Sequence, residues 1–263
     1  MAKLKDVWFW PNGGPTEEGW GGLGEGADAF ARTSRRVTER YCEGLAAIGI
    51  EARRSTVKML LFEPSAPETD VVLETLWVDR PGEEIVRVLV PTAVAGLAPQ
   101  DRAQLVLDVV DTAMRYIGEA RGWPIEELAR AHYHVLEHNF TYEMVGSWRS
   151  NQSRRRRVRP VAHIADDGWG RLSYEVADSR SGVTLGFTRL KPITLNSLPK
   201  FTRAIRSTRW RDENTLEREE SWLRRVGVRG DELQLFDIEE LGDRHELVLA
   251  RPSGVTLGVD HRV

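Results

Sequence analysis

Strand-like runs come in groups along this chain instead of alternating with helices. "EARRSTVKMLLFEP", "TDVVLETLWVD" and "EEIVRVLVP" follow one another with only a "DRPG" turn marked between two of them. After residue 139 "FTYEMVGSW", "RVRPVAHIAD", "GRLSYEVAD" and "GVTLGFTRL" do the same. Strict strand–helix alternation would call for a parallel sheet covered on both faces. Grouped strands call for an α+β fold: mainly antiparallel sheets with three main helices packed on one side. The first three runs are expected to form an antiparallel meander.

The helices are set by apolar spacing. Phe30, Val37, Tyr41, Leu45 and Ile48 form one stripe, with Asp28 expected to cap its start and Gly49 to stop it. Val106, Val109, Val110, Ala113, Ile117 and Ala120 define a second helix over about 99–121, ended by Gly122. Pro124 opens a third, to about 138. Two halves are expected: an α+β half over 1–140 and a β-rich half over 141–263. "SGVTLG" occurs at 181–186 and again at 253–258, each read as the return arm of a hairpin. That suggests a duplicated hairpin module, the alternative being two similar turns.

With 263 residues there is chain enough for a sizeable core, and 41% hydrophobic with 29% charged residues is ordinary for a soluble globular protein. No apolar run reaches membrane-spanning length, and "MAKLKDVWFWPNGG" lacks a signal-peptide core. Cys42 is the single cysteine, so no internal disulfide can form. A cytoplasmic location is expected. Charge is unevenly spread. Residues 149–211 carry 15 basic and 4 acidic side chains, a balance of +11, while 212–246 carry 5 and 12, a balance of −7.

The third helix contains "HVLEHNF". His134 and His138, four apart, can reach one Zn²⁺, and Glu137 could deprotonate a metal-bound water. These residues resemble the H-x-x-E-H motif of inverted-zincin, pitrilysin-like peptidases. The resemblance implies His134 and His138 as ligands, Glu137 as base and a third ligand near Glu213 or Glu217. On a helical wheel Ile125, Leu128, His132, Val135 and Leu136 make the apolar face, with His134 and His138 roughly opposite. That placement describes a solvated face, with His132 as a hydrogen-bonded core histidine.

Gly19, Gly21 and Gly24 satisfy G-x-G-x-x-G. A dinucleotide site needs the first glycine at a strand end and the helix starting within the motif, and this spacing does not offer that. A mobile or interaction loop fits better.

"SWRSNQSRRRRVRP" (147–160) is the stronger signal. Alternation puts Arg155, Arg157 and Arg159 on one strand face and Arg154 and Arg156 on the other. Arg171, Arg189 or Arg209 could extend the stripe, and Trp148, Trp169 and Trp210 fall in the same basic block. Guanidinium forks bind carboxylate or phosphate, and aromatic faces stack on guanidinium or bases. Three readings compete: a surface for an acidic protein partner, a nucleic-acid interface, and internal neutralisation, for example by "DENTLEREE" (212–220). Near-zero net charge favours a protein over a polynucleotide.

The resulting expectation is a non-catalytic cytoplasmic binding protein of adaptor, chaperone or immunity type, without cofactor. Its binding residues would be Arg154, Arg155, Arg156, Arg157, Arg159, Trp148, Trp169 and Arg171. The alternatives are the zinc hydrolase of His134, Glu137 and His138, and a nucleic-acid-binding protein.

Overall fold

The structure is a computed structural model. It describes residues 2–11, 15–16, 19–20, 24–64, 70–74, 83–193, 198–218, 234–242 and 257–260. The chain divides into two compact units, the first comprising 1–142, 166–168 and 248–263 and the second 143–165 and 169–247. The architecture is α+β, with strands mostly in antiparallel pairs and three substantial helices.

In the first unit β1 (Asp6–Pro11) leads to α1 (Glu25–Ile48) and then to β2 (Thr56–Phe62). Next come β3 (Val71–Glu74), β4 (Glu83–Leu89), α2 (Pro99–Arg121) and α3 (Ile125–Glu137). The expected meander is not what forms. β1 pairs with β2 in parallel, and β2 with β4 in parallel; only β3 and β4 are antiparallel. For β1 and β2 the reason is α1: a long crossover helix between two strands returns the chain in the same direction.

Alternation then decides which face is covered. Val57, Met59 and Leu61 of β2, Val7 and Phe9 of β1, Val86 and Val88 of β4 and Leu73 of β3 are all buried. Their neighbours Trp8, Lys58, Leu60 and Arg87 are only half-buried, and Trp10 is exposed. A sheet with one buried and one open face suits helices on a single side. The ammonium of Lys58 lies over the Trp10 ring at 4.8 Å, and Trp8 meets Trp10 edge-on at 5.3 Å.

Phe30, Val37, Tyr41 and Leu45 of α1 pack in the core of this unit with Val106, Val109, Val110 and Ile117 of α2. Each large apolar side chain so buried contributes roughly 1.5–3 kcal/mol. Gly49 and Gly122 end α1 and α2 in the left-handed region at φ 76° and 69°. Three local expectations need correcting. Asp28 lies inside α1, ion-paired to Arg32 one turn on, because Gly24 takes the cap position. Ala120 and Leu136, placed on inward faces, are exposed. Both sit in the last turn of their helices.

The second unit runs β5 (Glu143–Val145), β6 (Arg149–Ser150), β7 (Arg156–Ile164), β8 (Gly170–Asp178), β9 (Thr184–Thr188) and β10 (Lys191–Ile193). α4 (Leu198–Ser207), β11 (Thr208–Trp210), β12 (Thr215–Arg218), β13 (Gln234–Asp237) and β14 (Leu241–Gly242) follow. The main sheet is antiparallel in the order β6-β7-β8-β9-β14, with β5 beside β7 and β10 beside β8. β11, β12 and β13 make a separate antiparallel sheet. One face of β7 and β8 is apolar and closed: Val158, Ala162, Ile164, Leu172, Tyr174 and Val176 are buried. The other face carries Arg157, Arg159, His163, Arg171 and Glu175, opposed in register as Arg159 to Glu175 and His163 to Arg171.

The last described strand, β15 (Leu257–Asp260), belongs to the first unit and pairs in parallel with β3. The two "SGVTLG" copies therefore differ. The first ends in β9, an antiparallel return arm of β8. The last two residues of the second begin β15, whose partner among the described residues is the parallel strand β3. Residues 243–256, which include 253–256 of that copy and most of the segment upstream of it, lie outside the described residues.

Candidate functional site

The arginine run starts on a tight turn joining β6 to β7. Asn151, only 5% exposed, donates its backbone N–H to the Arg156 carbonyl at 3.0 Å and accepts the Arg154 N–H at 3.1 Å. Its side-chain oxygen accepts the Arg156 N–H at 3.2 Å. Arg154 takes a left-handed φ of 54°. Glu213 clasps the turn from outside the strand pair. One carboxylate oxygen accepts from Asn151 Nδ2 at 2.8 Å and Ser153 Oγ at 2.6 Å, and the other from the Ser153 N–H at 3.0 Å. Glu213 thus bonds to Asn151 and Ser153 of the turn and not to the arginine side chains.

Arg154 and Arg155 are exposed, and Arg156 and Arg157 are half-exposed. Among the described residues none of these four has a carboxylate partner. Arg157 instead lies over Trp148, its guanidinium carbon 4.6 Å from the ring centroid. Arg159 stacks on the same ring at 4.8 Å, but it also pairs with Glu175 at 2.5 Å. Glu175 is 7% exposed and accepts a second bond from Thr184 Oγ1 at 2.7 Å. So one of the five arginines is internally neutralised. "DENTLEREE" does not neutralise the others within the described residues: Glu213 binds Asn151 and Ser153, and Glu217 pairs with Arg209.

The β8–β9 hairpin lies beside this turn. Ser179 N–H donates to the Arg155 carbonyl at 2.9 Å. Asp178 Oδ1 accepts the N–H groups of Arg180 and Ser181 at 3.0 and 2.7 Å and the Ser181 hydroxyl at 2.9 Å. Those bonds, the Ser181 amide first, hold the Asp178 carboxyl below the usual carboxylate range. The hairpin projects Val183 and Leu185, 60% and 47% exposed. Periodicity did not single out these two residues, since β-turn tips carry no alternation signal.

Trp169 and Arg171 do not join this cluster. The register pairs Arg156 with Asp178 and Ile164 with Gly170. Trp169 therefore sits at the other end of the β7–β8 ladder, about 26 Å along the strand from Arg156. Arg171 shares the strand face of Arg157 and Arg159 but bonds to the Gly170 carbonyl at 3.2 Å near that far end. Arg209 lies in the separate sheet.

The histidine motif has two donors at hand. The His134 and His138 rings are 4.4 Å apart. His134 Nε2 is 3.5 Å from Glu43, which Arg40 already holds at 2.6 Å. His138 caps α3, its Nδ1 2.8 Å from the His134 carbonyl, and Glu137 is exposed. Among the described residues no group of three His, Cys, Asp or Glu side chains is placed to hold a metal ion. The suggested third ligands, Glu213 and Glu217, have the partners given above. His134 is not on an open face, as the wheel implied: it is 31% exposed, because α3 packs along α1 there.

The glycine motif lies partly outside the described residues. Gly24 caps α1, and the space beside it is filled by the Glu63 carboxylate, which stands 1.1 Å from where a Cβ would be. A carboxylate at a helix N-terminus opposes a pyrophosphate there. Burial pushes the Cys42 thiol well up, which disfavours its thiolate, and Val7 N–H donates to its sulfur at 3.1 Å. A cleft lined by Tyr174, Ile205, Thr208, Trp210 and Leu216 encloses about 10 Å³, room for one water at most. Among the described residues no helix is long and apolar enough to cross a membrane. Comparison of the chain with protein-family models, curated proteins and solved structures finds no match.

Proposed function

We propose that the chain is a non-catalytic cytoplasmic binding protein of adaptor, chaperone or immunity type, capturing an acidic protein partner on the Arg154–Arg157 turn. The observation that carries this is a set of four consecutive cations with no carboxylate partner among the described residues, on a turn whose backbone is pinned by Asn151 and Glu213. Pre-ordering the turn lowers the entropy lost on binding. Trp148 supplies a flat floor, and exposed Val183 and Leu185 supply apolar contact beside the charge. Apolar contacts next to guanidinium forks suit a polypeptide better than a phosphate backbone. The net charge of −3 for the whole chain argues the same way.

The test is fluorescence anisotropy with a labelled oligoglutamate peptide and, in parallel, a labelled single-stranded oligodeoxynucleotide, each titrated across salt. The peptide is expected to bind at low salt and to weaken as salt rises. The combined variant Arg154→Ala, Arg155→Ala, Arg156→Ala should weaken it by about tenfold or more, most clearly at low salt. Failure of the peptide to bind defeats the reading. Tighter oligonucleotide binding with a steep salt slope would replace it with a nucleic-acid interface.

A further inference from the structure

We infer that the two arginines stacked on Trp148 have different roles: Arg157 is the fork that receives a partner's carboxylate, and Arg159 is an internal brace. This rests on the acidic-partner reading and names the contact within it. Both side chains leave the same face of β7, two residues apart, and cover the same indole. Their charges meet different fates. Arg159 Nε lies 2.5 Å from Glu175, itself nearly buried and also bonded to Thr184. Arg157 has no carboxylate partner among the described residues; its Nε is covered, so the nitrogens a partner's carboxylate can reach are the two Nη. A guanidinium lying on an aromatic face keeps its N–H groups in the plane of the fork, pointing away from the ring. That is the geometry a planar carboxylate meets with two parallel bonds.

The hairpin beside it keeps the fork open. Gly182 has φ 76°, and a Cβ there would come within 3.1 Å of Arg157 Nη2. Any larger residue would strain the backbone and crowd the fork. Trp148 is a positioning residue in this scheme, fixing the guanidinium plane without meeting the partner's carboxylate.

The experiment compares Arg157→Ala, Arg157→Lys, Arg159→Ala and Gly182→Val for thermal midpoint and for affinity to the labelled oligoglutamate peptide. Arg157→Ala should leave the midpoint unchanged and weaken binding about tenfold. Arg157→Lys keeps the charge but not the fork and should recover only part of that loss. Gly182→Val should weaken binding while leaving every arginine in place. Arg159→Ala should lower the midpoint, because it strands Glu175, yet bind within about twofold of wild type where folded. Arg157 Nε–H, followed by NMR, should shift on peptide addition more than Arg159 Nε–H. Equal weakening by Arg157→Ala and Arg159→Ala at unchanged midpoints overturns the division of roles, as does wild-type affinity in Arg157→Lys. If wild type itself does not bind the peptide, the acidic-partner reading has failed first, and the fork falls with it.

Discussion

At the scale of single residues, stability in the first unit depends on charges taken out of water in pairs. Glu84 points to the covered face of β4 and is 2% exposed, and Arg121 meets its two oxygens with two nitrogens, each at 3.1 Å. Removing Arg121 would leave a desolvated carboxylate with its charge uncompensated. Arg121→Ala should therefore lower unfolding free energy by about 3 kcal/mol in urea denaturation, the low end of the range for a buried pair because Arg121 keeps some solvent contact. Glu84→Gln, which removes the charge but keeps a polar acceptor, should cost less. A loss below about 0.5 kcal/mol for Arg121→Ala would mean the pair behaves as a surface bridge. Glu84 also marks a limit of sequence reading. In "EEIVRVLVP" a strand whose covered face begins with glutamate looks no different from one whose register is shifted by one. Only the partner, 37 positions away, settles it.

At the scale of elements, periodicity located most helices and strands, because it records which face is wet. α2 spans Pro99–Arg121, the extent its stripe implied, and the alternation in β7 placed Arg157 and Arg159 together. Pairing direction was not legible. The same alternating strand serves a parallel or an antiparallel neighbour, so β1 and β2 gave no sign that α1 would make them parallel. Trp169 illustrates the same gap: close to Arg159 in sequence, it is carried by the hairpin to the far end of the ladder. The β8–β9 hairpin offers a test of how one element is held. Asp178 accepts three bonds across the turn, and its carboxyl is lowered chiefly by the Ser181 amide. A folded-state value below the unfolded value of about 3.9 means the charged form is favoured by folding. Its stabilisation is thus complete above the unfolded value and is lost as pH falls through the depressed one. Amide exchange at Ser181 should accelerate over that acid window, beyond the intrinsic pH trend. In Asp178→Asn the excess acceleration should vanish; if it persists, another group is titrating.

At the scale of the whole molecule, the chain's balance of −3 conceals two opposite charges. Counted over each unit's full sequence, the first carries 17 basic and 25 acidic side chains, a balance of −8, and the second 20 and 15, a balance of +5. A net charge describes behaviour only at distances beyond the screening length, about 10 Å at 0.1 M salt, whereas a charged resin samples one patch at a time. A protein with a sequence pI near 6.1 would ordinarily pass through a cation exchanger at pH 7. With Arg154 to Arg157 exposed or half-exposed and without carboxylate partners among the described residues, this one should be retained at low salt on both cation and anion exchangers. The variant Arg154→Ala, Arg155→Ala, Arg156→Ala should elute from the cation exchanger at markedly lower salt while holding at least as firmly to the anion exchanger. A protein that flows through the cation exchanger, or a variant that elutes unchanged from it, would show that those guanidinium groups are matched by the chain's own carboxylates. The acidic-partner proposal would then have no open charge to work with.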